Sequence, residues 1–460
     1  MNINFITFLL AGLLFFSTAS SSFSETLSDA LAEAYRNNIS LKKARYATEE
    51  AIQNVRLAES GFFPTISAVG SINYQKIKEM PHYTRTNALQ IVIDQNLFSG
   101  FKTINSVKVA KARALAQLQN LRNEEQNQLN NAAAAYVNVY ASREIVRLRH
   151  ADLLALKEQV RTAKARLDVG EGTRTDYAQA QAAYSRAVSE YSESISQNTQ
   201  AEAIYRQIIG NDPKLLTKPT ICGGTPNSLD EAFNIAFARH PAILAAGYNF
   251  QASQANVEAA RANFYPKIDF SVGAGYQKST YDGQVIRGGN DGSATTFGLK
   301  MTMPIYEGGA RISQYDIAKQ QLSEAKLEVA LYRDNVRAAL VSAWAKLKSS
   351  RTSVVGYLES VRAAKIALAG REAEHGVGQA TELDVLTTRS QLITMQVALI
   401  NAKRELVIAS YNLKAALGAL TGAQLDLSKY KDIVTAKKIS AKIIPVRKVE
   451  IYKTLPVYNK

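Results

Sequence analysis

Residues 54–68 read Asn54-Val55-Arg56-Leu57-Ala58-Glu59-Ser60-Gly61-Phe62-Phe63-Pro64-Thr65-Ile66-Ser67-Ala68. Residues 256–270 read Asn256-Val257-Glu258-Ala259-Ala260-Arg261-Ala262-Asn263-Phe264-Tyr265-Pro266-Lys267-Ile268-Asp269-Phe270. Both describe one event: a helix rich in Ala and Glu stops at an aromatic pair and a proline, and an alternating strand begins. Proline ends the helix and forces the residue before it into extended backbone. The two stretches lie 256 − 54 = 202 residues apart, far beyond the roughly 20–50-residue period of a solenoid unit. The chain is therefore a duplicated half-molecule.

Working outward, Leu27, Ala30 and Ala34 return as Leu229, Ala232 and Ala236 at the same offset. Beyond the strands the offset becomes 305 − 97 = 208: Leu97-Phe98-Ser99-Gly100 returns as Ile305-Tyr306-Glu307-Gly308. Val169-Gly170-x-x-Thr173-x-x-Asp176 returns as Val377-Gly378-x-x-Thr381-x-x-Asp384. The six extra residues fall in the second hairpin loop, around Tyr281 to Ser293, where insertion is tolerated.

Each half opens with a helix, expected over about 28–60 and 229–263, capped by Ser28 or by Asn227/Ser228. Two hairpins come next, over 62–99 and 264–306. Ile268, Phe270, Val272, Ala274 and Tyr276 point one way, while Asp269, Ser271, Gly273, Gly275 and Gln277 point the other. Ten-residue strands with one apolar face and one small or polar face are the pattern of transmembrane β-barrels. A soluble hairpin packed on a helix fits the alternation too, but no other segment could cover it. Four strands cannot close a barrel, because two edges would be left unpaired in lipid. Several chains would have to complete one.

Residues 101–169 contain neither Gly nor Pro, and as one helix would reach about 100 Å. The expected long helices cover 101–169 and 310–375. In the second, Leu322, Ala325, Val329, Tyr332, Val336, Ala339 and Ala343 form a heptad seam. Gly170 and Gly378 mark tight turns. Thr173 and Thr381 can cap the return helices, which are expected over 174–209 and 382–417.

The apolar run Phe5–Phe16, too short for a membrane span, reads as a signal peptide over 1–24. The first repeat then covers 25–226 and the second 227–425. The net charge of +15 looks like a nucleic-acid signal, yet +7 of it lies from Lys429 onward. Residues 426–460 read as a basic, flexible tail, and no nucleic-acid partner is expected. Cys222 is the only cysteine, so no internal disulfide framework exists. His82, His150, His240 and His375 do not pair at zinc spacing, and no nucleophile elbow or phosphate loop occurs. Acidic pairs such as Glu124-Glu125 read as solvated. No enzyme activity, cofactor or metal is expected.

The ordered, duplicated set of Phe-x-Pro junctions, Leu-Phe-x-Gly and Ile-Tyr-x-Gly-Gly strand ends and Val-Gly-x-x-Thr-x-x-Asp turns resembles the outer-membrane efflux (TolC) family over about residues 25–425. The resemblance implies an α+β membrane protein: a homotrimer whose four strands per chain form one twelve-stranded barrel in outer-membrane lipid. A periplasmic α-helical barrel continues it, with segments around 210–228 and 418–435 in a belt. It further implies an exit duct for type I protein secretion or multidrug efflux. A periplasmic adaptor and an inner-membrane ABC or proton-driven pump would open it at its tip. Adaptor contacts carry over to Gly170, Gly378, Thr173 and Thr381. The gate carries over to Asp176 and Asp384, with Thr387 in place of an acidic residue, Ala380 in place of a linking arginine and His375 in place of a linking tyrosine. His375 could then bond Asp176. Equally, Asp176 and Asp384 could simply cap their helices. Alternation gives Asp269, Ser271 and Gln277 as pore-lining candidates. A periplasmic coiled-coil tether without a pore is the alternative, and it would need soluble hairpins.

Overall fold

A computed structural model describes residues 24–76, 83–281, 284–285, 292–422 and 425. The expected signal peptide up to residue 23, the basic tail over 426–460 and, in the second hairpin loop, residues 282–283 and 286–291 lie outside the described residues. The element order is α1 (Leu27–Asn37), α2 (Ile39–Glu59), β1 (Thr65–Lys76), β2 (Tyr83–Ser99), α3 (Lys102–Asp168), α4 (Arg174–Ile209), α5 (Leu229–Arg239), α6 (Pro241–Arg261), β3 (Lys267–Tyr281), β4 (Gln284–Val285), β5 (Gly292–Thr302), α7 (Ala310–Gly376) and α8 (Glu382–Ala416).

The opening helix of each half is broken in two, where the sequence pattern suggests one. Thr26, not Ser28, caps α1 and forms a capping box with Asp29. Asn38 is extended, and its side chain accepts from the Leu41 N–H at 3.1 Å, starting α2. Its twin His240 precedes Pro241, which holds it out of helical geometry. The His240 Nδ1 accepts from the Ala242 N–H at 3.2 Å. An Asn cap and a His-Pro pair thus make the same corner.

After a single 3₁₀ turn at each junction, the strands pair antiparallel in the order β1-β2-β3-β5, with the two-residue β4 beside β3. The register aligns Ile66, Ile93, Val272 and Phe297 in one row. The next row, on the opposite face, is Thr65, Asp94, Ser271 and Gly298. One face is therefore apolar and uncovered, with Ile66 70% and Phe297 74% exposed. β1 and β5 are free edges, and three successive antiparallel pairings leave them running in opposite directions. β2 continues to Ser99 because β3 runs beside it, Phe98 opposite Ile268. β5, with no strand on its far side, stops at Thr302, short of the expected 306, and Ile305 is left 93% exposed.

The main core gathers α1, α2, α3, α4 and α8 around Tyr35, Tyr136, Tyr205 and Leu129. Glu25 knots it together: its carboxylate accepts from the Tyr205 hydroxyl at 2.7 Å, and its carbonyl lies 2.8 Å from the Tyr136 hydroxyl. Glu125 belongs to this core and is not solvated as expected, because α1 brings the Tyr35 hydroxyl to donate to it at 2.6 Å. In α7 the expected seam holds at Ala325, Val329 and Val336, then passes to Leu340 and Leu347, leaving Ala339 and Tyr332 exposed. A straight helix drifts about 20° per heptad, which rotates the stripe onto the neighbouring position.

Candidate gate and docking tips

α3 and α7 each end in a left-handed glycine, Gly170 at φ +80° and Gly378 at φ +77°. A Cβ on either would meet nothing within 4 Å, so conformation rather than crowding demands glycine. The Gly170 N–H donates to the Leu167 carbonyl and the Gly378 N–H to the His375 carbonyl, both at 3.1 Å.

The next residues form matched capping boxes. The Asp176 N–H donates to Thr173 Oγ1 at 3.0 Å, and the Thr173 N–H returns to the Asp176 carboxylate at 3.2 Å. Thr381 and Asp384 repeat this at 3.2 and 2.9 Å. The Thr381 hydroxyl and backbone N–H hold the Asp384 carboxyl below the usual carboxylate range. Of the two readings left open, capping is the geometry found within one chain.

His375 does not meet Asp176, whose carboxylate is turned back onto Thr173. Its Nδ1 lies 3.0 Å from the Ala380 carbonyl oxygen. Its Nε2 lies 3.2 Å from Glu382 Oε2 and 3.3 Å from Arg166 Nη1. Gln159 also donates to Glu382. A polar joint thus ties α3 of the first repeat to the α7–α8 turn of the second. Glu382, which is 6% exposed, is absent from the residues that the sequence pattern singles out. At the first position of a helix it reads as a solvated dipole partner, and only the approach of α3 buries it.

Higher up, Thr387 is exposed and lines a cavity of about 290 Å³ between α3, α4 and α8, with Arg149, Asp152, Glu190 and Arg389. Asp152 is buried, and burial pushes its carboxyl above the usual range despite Arg389 and Arg149 nearby. Above that lies a larger cleft of about 910 Å³ between the same helices, lined by Arg149, Glu190, Arg404 and Glu405 among others. In the sheet, Asp269, Ser271 and Gln277 share the polar face. Asp269 accepts from Asn96 Nδ2 at 2.9 Å across the β2–β3 pair and lies 3.0 Å from Lys267 Nζ.

A sheet with one apolar face, carried on 67-residue helices about 100 Å long, defines the fold of an outer-membrane channel. The chain belongs to the outer membrane efflux protein family, whose profile matches residues 30–211 and 232–419, and it is an outer-membrane protein. It is 40% identical over 417 residues to the outer membrane efflux protein BepC of Brucella suis biovar 1 (strain 1330), covering 90% of each chain. It is 24% identical to the outer membrane protein TolC of Escherichia coli (strain K12), over 91% of this chain and 87% of that one. The solved CmeC outer membrane channel of Campylobacter jejuni superposes with a TM-score of 0.76 at 17% identity, over 91% of this chain and 89% of that one. The family is one of channels rather than enzymes.

Proposed function

We propose that three copies of this chain form the exit duct of a tripartite export system. Their twelve strands close one barrel in the outer membrane, and their helices line a periplasmic tunnel. The observation that carries this reading is the sheet: its two free edges run in opposite directions, so β5 of one copy can pair antiparallel with β1 of the next. Edges left open in lipid would cost several kcal/mol for each unpaired group. The duct conducts small toxic compounds or secreted proteins delivered by an inner-membrane ABC or proton-driven pump, which supplies the energy. A periplasmic adaptor docks on the turns at Gly170, Thr173, Gly378 and Thr381. Asp176, Asp384, His375 and Thr387 lie at the constriction, and Asp269, Ser271 and Gln277 face the lumen. No observation favours the pore-free tether, which has no use for the uncovered apolar face.

The test has two arms. Purified protein in planar lipid bilayers is expected to conduct ions, and a deletion strain is expected to become sensitive to toxic compounds or to lose a secreted protein. A protein that inserts without conducting contradicts the reading.

A further inference from the structure

The tip joint inside one chain has a counterpart that one chain cannot make. Gln159 on α3 donates to Glu382 of the second repeat, and Arg166 reaches His375, whose Nε2 also meets Glu382, so the imidazole stands between Arg166 and Glu382. The repeat offset carries each group to its twin: Arg166 to Glu374 (374 − 166 = 208) and Glu382 to Arg174 (382 − 174 = 208). Gln159 becomes Ala367, and His375 becomes Leu167. The charges are exchanged in sign, and the imidazole is replaced by an apolar side chain. Since α3 packs on α8 of the same chain, α7 is left to pack on α4 of the next one.

Two observations within the chain point the same way. Arg174 is exposed at the first position of α4, where the helix dipole disfavours a cation, and among the described residues no ion pair holds it. Its twin Glu382 occupies the favourable sign at the same position. Among the described residues the Glu374 side chain pairs only with Arg371, one turn away on its own helix at 2.7 Å, and both side chains are exposed to similar degrees. The dipole penalty at Arg174 and the half-solvated Glu374 are both relieved by one contact.

We propose that Glu374 of each copy pairs with Arg174 of the neighbouring copy at the periplasmic tip. The tip ring then alternates two kinds of joint: a buried joint within each chain built on His375 and Glu382, and a direct ion pair between chains. This rests on the trimeric reading, and it names the residues by which the copies hold one another at the closed end.

The experiment uses the full-length protein purified as the detergent-solubilised oligomer, with Cys222→Ala to remove the native thiol. Glu374→Cys with Arg174→Cys, treated with a short bis-maleimide, is expected to give covalent multimers up to the full oligomer on denaturing gels. Neither single cysteine is expected to do so. In bilayers, Glu374→Arg is expected to raise conductance several-fold by loosening the tip, and Glu374→Arg with Arg174→Glu to bring it back. An oligomer of the expected mass that neither crosslinks nor recovers in the double exchange overturns the pairing and leaves the trimer standing. A monomer overturns the trimeric reading itself.

Discussion

α3 and α7 are twins of 67 residues with opposite fates. In α3, 22 residues are buried; in α7, eight are. The cause is position rather than composition. α3 lies between its own α2 and α4 on one side and α6 and α8 of the second repeat on the other. α7 has α5, α6 and α8 on one side, and among the described residues no helix packs along the other. Val109 is buried against Ala252, while its twin Ile317 is exposed. Ala133 is fully buried, while its twin Val341 is 43% exposed. The duplication thus predicts what one chain leaves uncovered: a second set of neighbours, supplied by another copy.

The largest expected effect breaks the comparison at these twins. Ala133→Asp places an unpaired charge in the main core and should cost about 3–5 kcal/mol, abolishing the folded chain. Val341→Asp should leave the helical fold intact by circular dichroism yet abolish the oligomer on native gels. If both variants stay oligomeric, the covering of α7 by a neighbour is wrong.

Next come the strand-to-helix corners. Gly100 has φ +63°, and a Cβ there would fall 2.5 Å from the Ala262 carbonyl oxygen and 2.7 Å from Tyr265 Cβ. Its twin Gly308, at φ +59°, meets nothing. The twins of Ala262 and Tyr265 are Ser60 and Phe63 (262 − 202 and 265 − 202), which a neighbouring copy would bring there. Gly100→Ala should lower stability of chain and oligomer alike, by more than the roughly 1–2 kcal/mol of left-handed strain. Gly308→Ala should weaken the oligomer selectively, read as a lower dissociation temperature.

The two corners at Asn38 and His240 separate by pH. Burial pulls the His240 imidazole down to about 4 from its ordinary 6.5. A histidine with a depressed folded value stabilises as the neutral form. That stability is whole above about pH 6.5 and is lost as the pH falls toward about 4, by up to about 3 kcal/mol. His240→Asn copies the Asn38 cap and should flatten this acid limb of a thermal-melting series. An unchanged slope would mean the imidazole is not the source.

The smallest effects lie at the turns. Thr173→Ala and Thr381→Ala each remove one capping box and should cost about 1 kcal/mol, in either repeat equally. A larger loss at one turn would show that its threonine does more than cap.

Much of this fold is legible in the sequence. The offsets, the proline junctions, the alternation and the glycine turns are local signals, and each depends on a few residues whose backbone preferences are strong. The features that escape depend on neighbours distant in sequence. Glu125 and Glu382 read as solvated because the helices that bury them, α1 and α3, lie about 90 and 220 residues away. The break at Asn38 is hidden inside an unbroken helical pattern, although the His-Pro pair at His240-Pro241 announces its twin. The expected bond from His375 to Asp176 follows only from the resemblance, and the capping box at Thr173 already claims that carboxylate.

The central claim is that one chain is an incomplete wall. The mass of the detergent-solubilised protein, by light scattering corrected for bound detergent, tests it most directly. Three chains per particle is the expected result. A stable folded monomer, with β1, β5 and the outer face of α7 left open, would contradict it.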